Sequence, residues 1–215
     1  MRSIMDEAAL QGLLARARAG DAAALSELFE EFRPRLARMV ALRLHASLKR
    51  RLDPADIVQE AWLEVERRFP RWSADASPPL HVWLRLVTGQ LLVQAHRRHL
   101  GAQLRDAERE RGAAESRPSV SAASVADAFV ASATTPTQAV RREEVRTRVL
   151  EALEGLDELD REIIALREFE GLSNKDAAAE LGLEPSASSR RFLNALVRLR
   201  PALQSLTAET SGPSA

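Results

Sequence analysis

The sequence predicts an all-α protein: two small helical domains, a helical bundle and a helix-turn-helix, joined by a flexible linker. Three observations carry this. Aromatic residues are only 4% of the 215 and tyrosine is absent, while Ala, Leu, Arg and Glu dominate, a composition of helices rather than sheets. Apolar residues recur three and four apart through two long stretches, about 21–110 and 141–206. Between them, residues 112–140 turn to Ala, Ser, Thr and Pro with only three charges, the composition of a linker. The expected layout is therefore a domain over 1–111, a linker over 112–140 with a short helix around Val125 to Ala131, a domain over 141–206, and a polar tail over 207–215.

Composition also excludes whole classes of function. Without cysteine there is no disulfide framework, thiolate nucleophile or cysteine-ligated zinc. The opening MRSIMDEAAL brings in Asp6 and Glu7 before any apolar run, unlike a secretory leader, so the expected compartment is the cytoplasm, with no membrane insertion. Thirty-one basic side chains balance 31 acidic ones, so the chain is no polycation that would coat nucleic acid unaided. The balance is uneven along the chain: residues 141–185 carry 7 basic and 13 acidic side chains, and residues 186–215 carry 4 and 1.

In the first domain, Asp53-Pro54-Ala55-Asp56 supplies an N-cap, a proline at the first helical position and an acid in the first turn, opening a helix to about Arg68. Val58, Ala61, Trp62, Val65 and Phe69 share its apolar face. Asp56, Glu60, Leu63, Glu64 and Arg67 lie away from it, so a leucine sits among acids on the outer side. A lone exposed leucine is ordinary; in this company it reads as an apolar anchor in an acidic partner-binding face. After the loop FPRWSADASPP, a helix fits Leu80 to Leu100, with Leu80, Leu84, Val87, Leu91 and Ala95 inward. Trp83, Gln90, Gln94 and Arg97 fall in one stripe, where a ring and a guanidinium could stack on unpaired bases and amides could bond their edges. The competing reading leaves Trp83 capping the core and the glutamines solvated. Arg97 and Arg98, with His96 and His99, extend a basic end for phosphates. The His96-x-x-His99 pair lacks a third ligand at helical spacing and sits among arginines, so no metal is expected.

The second domain carries the sharpest signal. One helix fits 158–170 and stops at Gly171; Ser173, with Asp176 three residues on, caps a short helix that ends at Gly182; Pro185 opens a third helix to about Arg200. Two helices joined by Gly182-Leu183-Glu184 make a helix-turn-helix. On the third helix Ser188, Phe192, Ala195, Leu196 and Leu199 form the packed side, and Ser186, Arg190, Leu193, Asn194 and Val197 point away. Ser186, Ser189, Arg190, Arg191 and Asn194 provide donors for base edges and phosphates, with Arg198 and Arg200 nearer the backbone. A plain helical hairpin with a solvated basic face is the alternative. No nucleotide-binding loop, nucleophile elbow or isolated carboxylate pair is present, so neither catalysis nor a cofactor is expected.

Three blocks in this order resemble an extracytoplasmic-function (ECF) sigma factor of the sigma-70 family, over about residues 10–205. DPADIVQEAWLEV is similar to the region 2.2 helix that docks on the clamp helices of the RNA polymerase β′ subunit. WLRLVTGQLLVQAHRRHLGAQLRD is similar to regions 2.3 and 2.4, which open and read the minus-10 element, and LDELDREIIALREFEGLSNKDAAAELGLEPSASSRRFLNALVRLR to region 4, which reads the minus-35 element. The linker ending in TTPTQA, preceded by HRRHLGAQLRDA, resembles the planctomycete-type members. Gln90 and Gln94 stand where the family carries Asn and Asp, Ser188 replaces an apolar residue, and Glu184 replaces a serine cap. The resemblance implies a promoter-specificity subunit that makes and breaks no bond itself. Asp56, Gln59, Glu60, Leu63 and Glu64 would bind the β′ clamp of core polymerase. Trp83, Gln90, Gln94, Arg97 and Arg98 would face the minus-10 DNA. Ser186, Ser189, Arg190, Arg191, Asn194 and Arg198 would face the minus-35 duplex. The β flap, promoter DNA and an anti-sigma factor complete the implied partners. A stand-alone helix-turn-helix regulator and a sigma-mimicking adaptor that binds no DNA are the competing functions.

Overall fold

The computed structural model describes residues 5–111, 119–133 and 139–208. All elements among them are helical: α1 (Glu7–Arg18), α2 (Ala22–Arg43), α3 (Pro54–Asp75), α4 (Leu80–Arg111), α5 (Ala122–Ala133), α6 (Ala139–Glu154), α7 (Glu158–Ile164), which continues into a π-helical turn (Ala165–Phe169), α8 (Asn174–Glu180) and α9 (Pro185–Ala208). The chain divides into two compact units, Met1–Pro118 and Ser119–Ala215.

In the first unit α1 packs on α2, α2 on α3 and α4, and α3 on α4. Local chemistry sets each boundary. Asp6 caps α1 by accepting the Ala9 N–H at 2.7 Å, and Asp21 caps α2 through the Ala24 N–H at 3.1 Å while binding Arg16 of α1 at 2.6 Å. The α1 helix precedes the stretch whose periodicity begins at Asp21; it is short, and its buried side chains are just Leu13, Leu14 and Ala17. Leu28, Phe29, Met39, Val58, Val65, Leu84 and Leu92 form the centre of the core.

Three helix ends differ from expectation, the first being α4, which runs on to Arg111 rather than ending near Leu100. The α3 helix runs through Pro70 to Asp75 rather than ending near Arg68, so the connecting loop shrinks to Ala76–Pro79. Phe69, Trp72 and Trp83 explain this: their rings pack together, with Trp72 and Trp83 stacked at 4.9 Å, and the Trp72 indole N–H donates to the Pro78 carbonyl at 2.9 Å. This burial outweighs the one backbone bond that Pro70 removes. Likewise α9 passes through Pro201.

The second unit begins at Ser119, well before the domain start expected at Arg141. Helix α5, inside the expected linker, packs on α6 and α9: Val125 and Ala126 are fully buried, Phe129 meets Phe169 edge-on at 4.9 Å, and Asp127 pairs with Arg146 of α6 at 2.7 Å. A stretch rich in Ala, Ser and Val lacks the charged stripe by which a surface helix is normally recognised, yet it buries well against a neighbour. The rest of the expected linker, 112–118 and 134–138, and the tail from 209 lie outside the described residues.

Candidate nucleic-acid interface

The outer face of α3 is set by its cap. Asp53 accepts the Ala55 N–H at 2.8 Å and Pro54 starts the helix, a phase that turns Ile57, Val58, Ala61 and Val65 to the core. Asp56, Gln59, Glu60 and Leu63 consequently face out, and Leu63 is 60% exposed. Glu64 behaves differently from the rest of this set. Its carboxylate is gripped within the helix by Arg67 and Arg68, and these bonds, Arg67 first, hold its pKa down at about 2. The expected acidic face is thus neutralised at its C-terminal end.

On α4, Gln90, Gln94, Arg97 and Arg98 are exposed, as the wheel predicts. Trp83 is not part of that open stripe. It is 9% exposed, stacked on Trp72 and against Phe69, so the core takes the ring that the stripe would have presented. Its edge instead borders a cleft of about 470 Å³ lined by Arg67, Arg68, Arg71, Trp72, Asp75 and Ser77 as well. His96 is also withdrawn from the basic end expected for it. It is buried, its Nε2 accepts the His45 N–H at 3.4 Å, and burial, then the nearby His45, lower its pKa and favour the neutral ring. Side-chain bonds join the faces of α3 and α4, among them Arg68 donating to the Gln90 side-chain carbonyl at 2.7 Å and Arg98 pairing with Glu60 at 3.2 Å.

The helix-turn-helix follows the spacing read from sequence. Ser173 accepts the Asp176 N–H at 3.1 Å, Gly171 and Gly182 take φ of 71° and 64°, and Asn174 of α8 donates to the Pro185 carbonyl of α9 at 2.8 Å. Ser188, Phe192, Ala195 and Leu199 are buried; Ser186, Arg190, Leu193, Asn194 and Val197 are exposed, and Ser189 is half-buried. Arg191 departs from its expected role. Its guanidinium turns back to α7, donating to Asp157 at 2.9 Å and to Asp160 at 2.7 Å, which makes it a strut between the helices rather than an outward donor. Asp157 also caps α7, and the Asp160 N–H, then Arg191, lower its pKa. Arg198 is exposed but donates one N–H to the Gly155 carbonyl. The sequence reading missed the cleft and the Arg191 strut; the run RRFPRW was the available signal for the first, and for the second there was none, because Asp160 lies 31 positions away.

A helical unit joined to a helix-turn-helix that turns a basic helix outward is a DNA-binding architecture of transcription proteins. Residues 7–205 match the family model described as ECF sigma factor, and the chain belongs to that family. It is 31% identical over 192 residues to the ECF RNA polymerase sigma factor SigD of Mycobacterium tuberculosis and of Mycobacterium bovis, spanning 89% of this chain and 82% of theirs. Among solved structures, that of CnrH in complex with the cytosolic domain of CnrY aligns over 90% of this chain and 96% of its own with a TM-score of 0.49 and 23% identity. As an ECF sigma factor the protein directs transcription initiation, with core RNA polymerase and promoter DNA as its partners and the bond-making chemistry left to the polymerase.

Proposed function

We propose that three surfaces divide the work of this sigma factor. Asp56, Gln59, Glu60 and Leu63 on α3 dock on the β′ clamp of core polymerase, with Glu64 steadying Arg67 and Arg68 beneath them. Leu63 is the anchor, since a 60% exposed leucine ringed by carboxylates suits a basic surface with an apolar notch. Gln90, Gln94, Arg97 and Arg98 on α4 face the minus-10 DNA. The neighbouring cleft receives an unstacked base against the edges of Trp72 and Trp83, its phosphates drawn by Arg67, Arg68 and Arg71. Ser186, Ser189, Arg190 and Asn194 on α9 read the minus-35 duplex, with Arg198 on a phosphate.

The outward stripe of α9, presented by a capped and glycine-terminated helix-turn-helix, carries this reading. Docking to the β flap, control by an anti-sigma factor, and a place among the planctomycete-type members extend it from the family resemblance and the linker sequence. A cytoplasmic site of action beside the polymerase follows from the family; no helix of the described residues is long and apolar enough to cross a membrane.

The test is in vitro transcription with purified bacterial core polymerase on a fragmented genomic library, mapping RNA 5′ ends with and without the protein. New starts that share two spaced upstream elements are the expected result. Sequence-specific duplex binding in the absence of polymerase, with no new starts, would instead identify a stand-alone regulator.

A further inference from the structure

Among the described residues three large apolar side chains are prominently exposed, and two of them, Leu193 at 57% and Val197 at 67%, lie one turn apart on α9. At 100° per residue Ser186, Arg190, Leu193 and Val197 fall within one 60° stripe, so the centre line of the outward face is polar over its first turns and apolar over the next two. A single exposed leucine needs no explanation, but an apolar pair on the axis of a recognition helix does.

The surroundings decide what covers it. From Pro185 to Gln204 the helix carries Arg190, Arg191, Arg198 and Arg200 and no acid. Arg190 within the stripe, and Asn194, Arg198 and Arg200 beside it, are exposed. An apolar protein surface seated there would have to strip water from these cations without pairing them. A DNA major groove places phosphates along both walls and, between them, one apolar group on the base edges, the 5-methyl of thymine. We infer that Leu193, with Val197 beyond it, determines promoter specificity by packing on thymine methyls of the upstream element, beside the pair that Arg190 contacts. The helical rise puts Leu193 about 4.5 Å past Arg190 along the axis, close to one base-pair step of about 3.4 Å. The inference rests on the reading of α9 as the reader of the minus-35 duplex.

The experiment uses the full chain, core polymerase and a promoter found by start mapping. Each thymine of the upstream element is replaced in turn by deoxyuridine, which removes only the methyl group and leaves pairing intact. Promoter use by the unsubstituted protein should fall about fourfold at one position, the scale of one buried methyl. Leu193→Ala should lose a similar factor on thymine and no longer distinguish thymine from uracil there; Leu193→Met should keep part of the discrimination. Equal use of thymine and uracil templates at every position, or undiminished discrimination by Leu193→Ala, would overturn the inference. So would a Leu193→Ala defect that is the same on both templates and accompanied by weaker binding to core polymerase, since it would place a protein on the stripe. A scrambled upstream element separates the two levels: if scrambling abolishes initiation while uracil has no effect, only the methyl contact is wrong, whereas indifference to scrambling removes the minus-35 reading of α9 itself.

Discussion

Replacing Arg191 with alanine separates a strut from a DNA contact. Arg191 donates to Asp160 at 2.7 Å and to Asp157 at 2.9 Å, and the two carboxylates differ in what they lose. The Asp157 side chain is 56% exposed, so water replaces the guanidinium and that arm contributes little. The Asp160 side chain is 12% exposed, and a carboxylate largely removed from water is left without its cation. The Asp160 arm therefore dominates, at about 1–2 kcal/mol, which for a unit of this size is a fall in Tm of about 5–15 °C for the second transition. Circular dichroism or calorimetry of the intact chain measures it. Both bonds leave one nitrogen, Nη1, so an ammonium has the donors for both; Arg191→Lys should still recover only part, because the lysine stem ends one bond short of that nitrogen. Asp160→Asn in the Arg191→Ala background should add less than it does alone, since the two residues act as one pair. A variant that melts like the unsubstituted protein yet loses promoter use would refute the strut and restore Arg191 to the DNA face.

Other perturbations separate the remaining surfaces. Arg190→Ala should leave the melting temperature unchanged and lower promoter use about tenfold, the scale of one lost base contact, measured by runoff transcription. Leu63→Asp should weaken core binding by tenfold or more in a fluorescence anisotropy titration, with an unaltered circular dichroism spectrum. Val125→Asp tests whether α5 belongs to the second unit: an unpaired charge at a fully buried site should cost about 3 kcal/mol or more, while a tether would tolerate it. His96 has a lowered pKa from burial and then from His45, so the unfolded chain binds the proton first. Stability of the first unit should therefore be full above the ordinary histidine range and decline as pH falls through it toward the lower folded value; His96→Gln should flatten that slope in melts between about pH 7.5 and 5.5.

What the sequence disclosed and what it withheld follow one physical division. Features written in neighbouring residues were legible: the Asp53-Pro54 start, the Ser173 cap, the stops at Gly171 and Gly182, and the inner and outer sides of α9. Each depends on contacts within a turn or two of the chain. Features that depend on a distant partner were not. The wheel leaves Trp83 between an open stripe and a cap on the core, because it cannot know that Trp72 waits on α3, and Arg191 looks like any arginine beside Arg190 until α7 brings two carboxylates to it. The helices expected to end near Arg68 and Arg200 both continue, through Pro70 and Pro201, the first because aromatic packing on either side of the proline holds the backbone in place. Helix α5 was half visible: its position was anticipated, but not its membership of the second unit, since a run of Ala, Ser and Val shows no face until another helix supplies one.

The π-helical turn gives the second unit an uneven sensitivity to length that its sequence does not advertise. There the Glu170 N–H reaches back five residues to Ala165 and the Leu172 N–H six to Leu166, so the segment holds one residue more than an α-helix would need. The widened turn absorbs that residue, so the chain leaves it in the phase of an uninterrupted α-helix; removing a residue from α7, where there is no such slack, would turn everything after it by about 100°. Phe169 would swing away from Phe129, and the Ser173 cap would open α8 in a different direction, carrying α9 with it. Removal of one residue between Ala165 and Phe169 should accordingly be tolerated far better than removal of one between Glu158 and Ile164, where it redirects the whole helix-turn-helix.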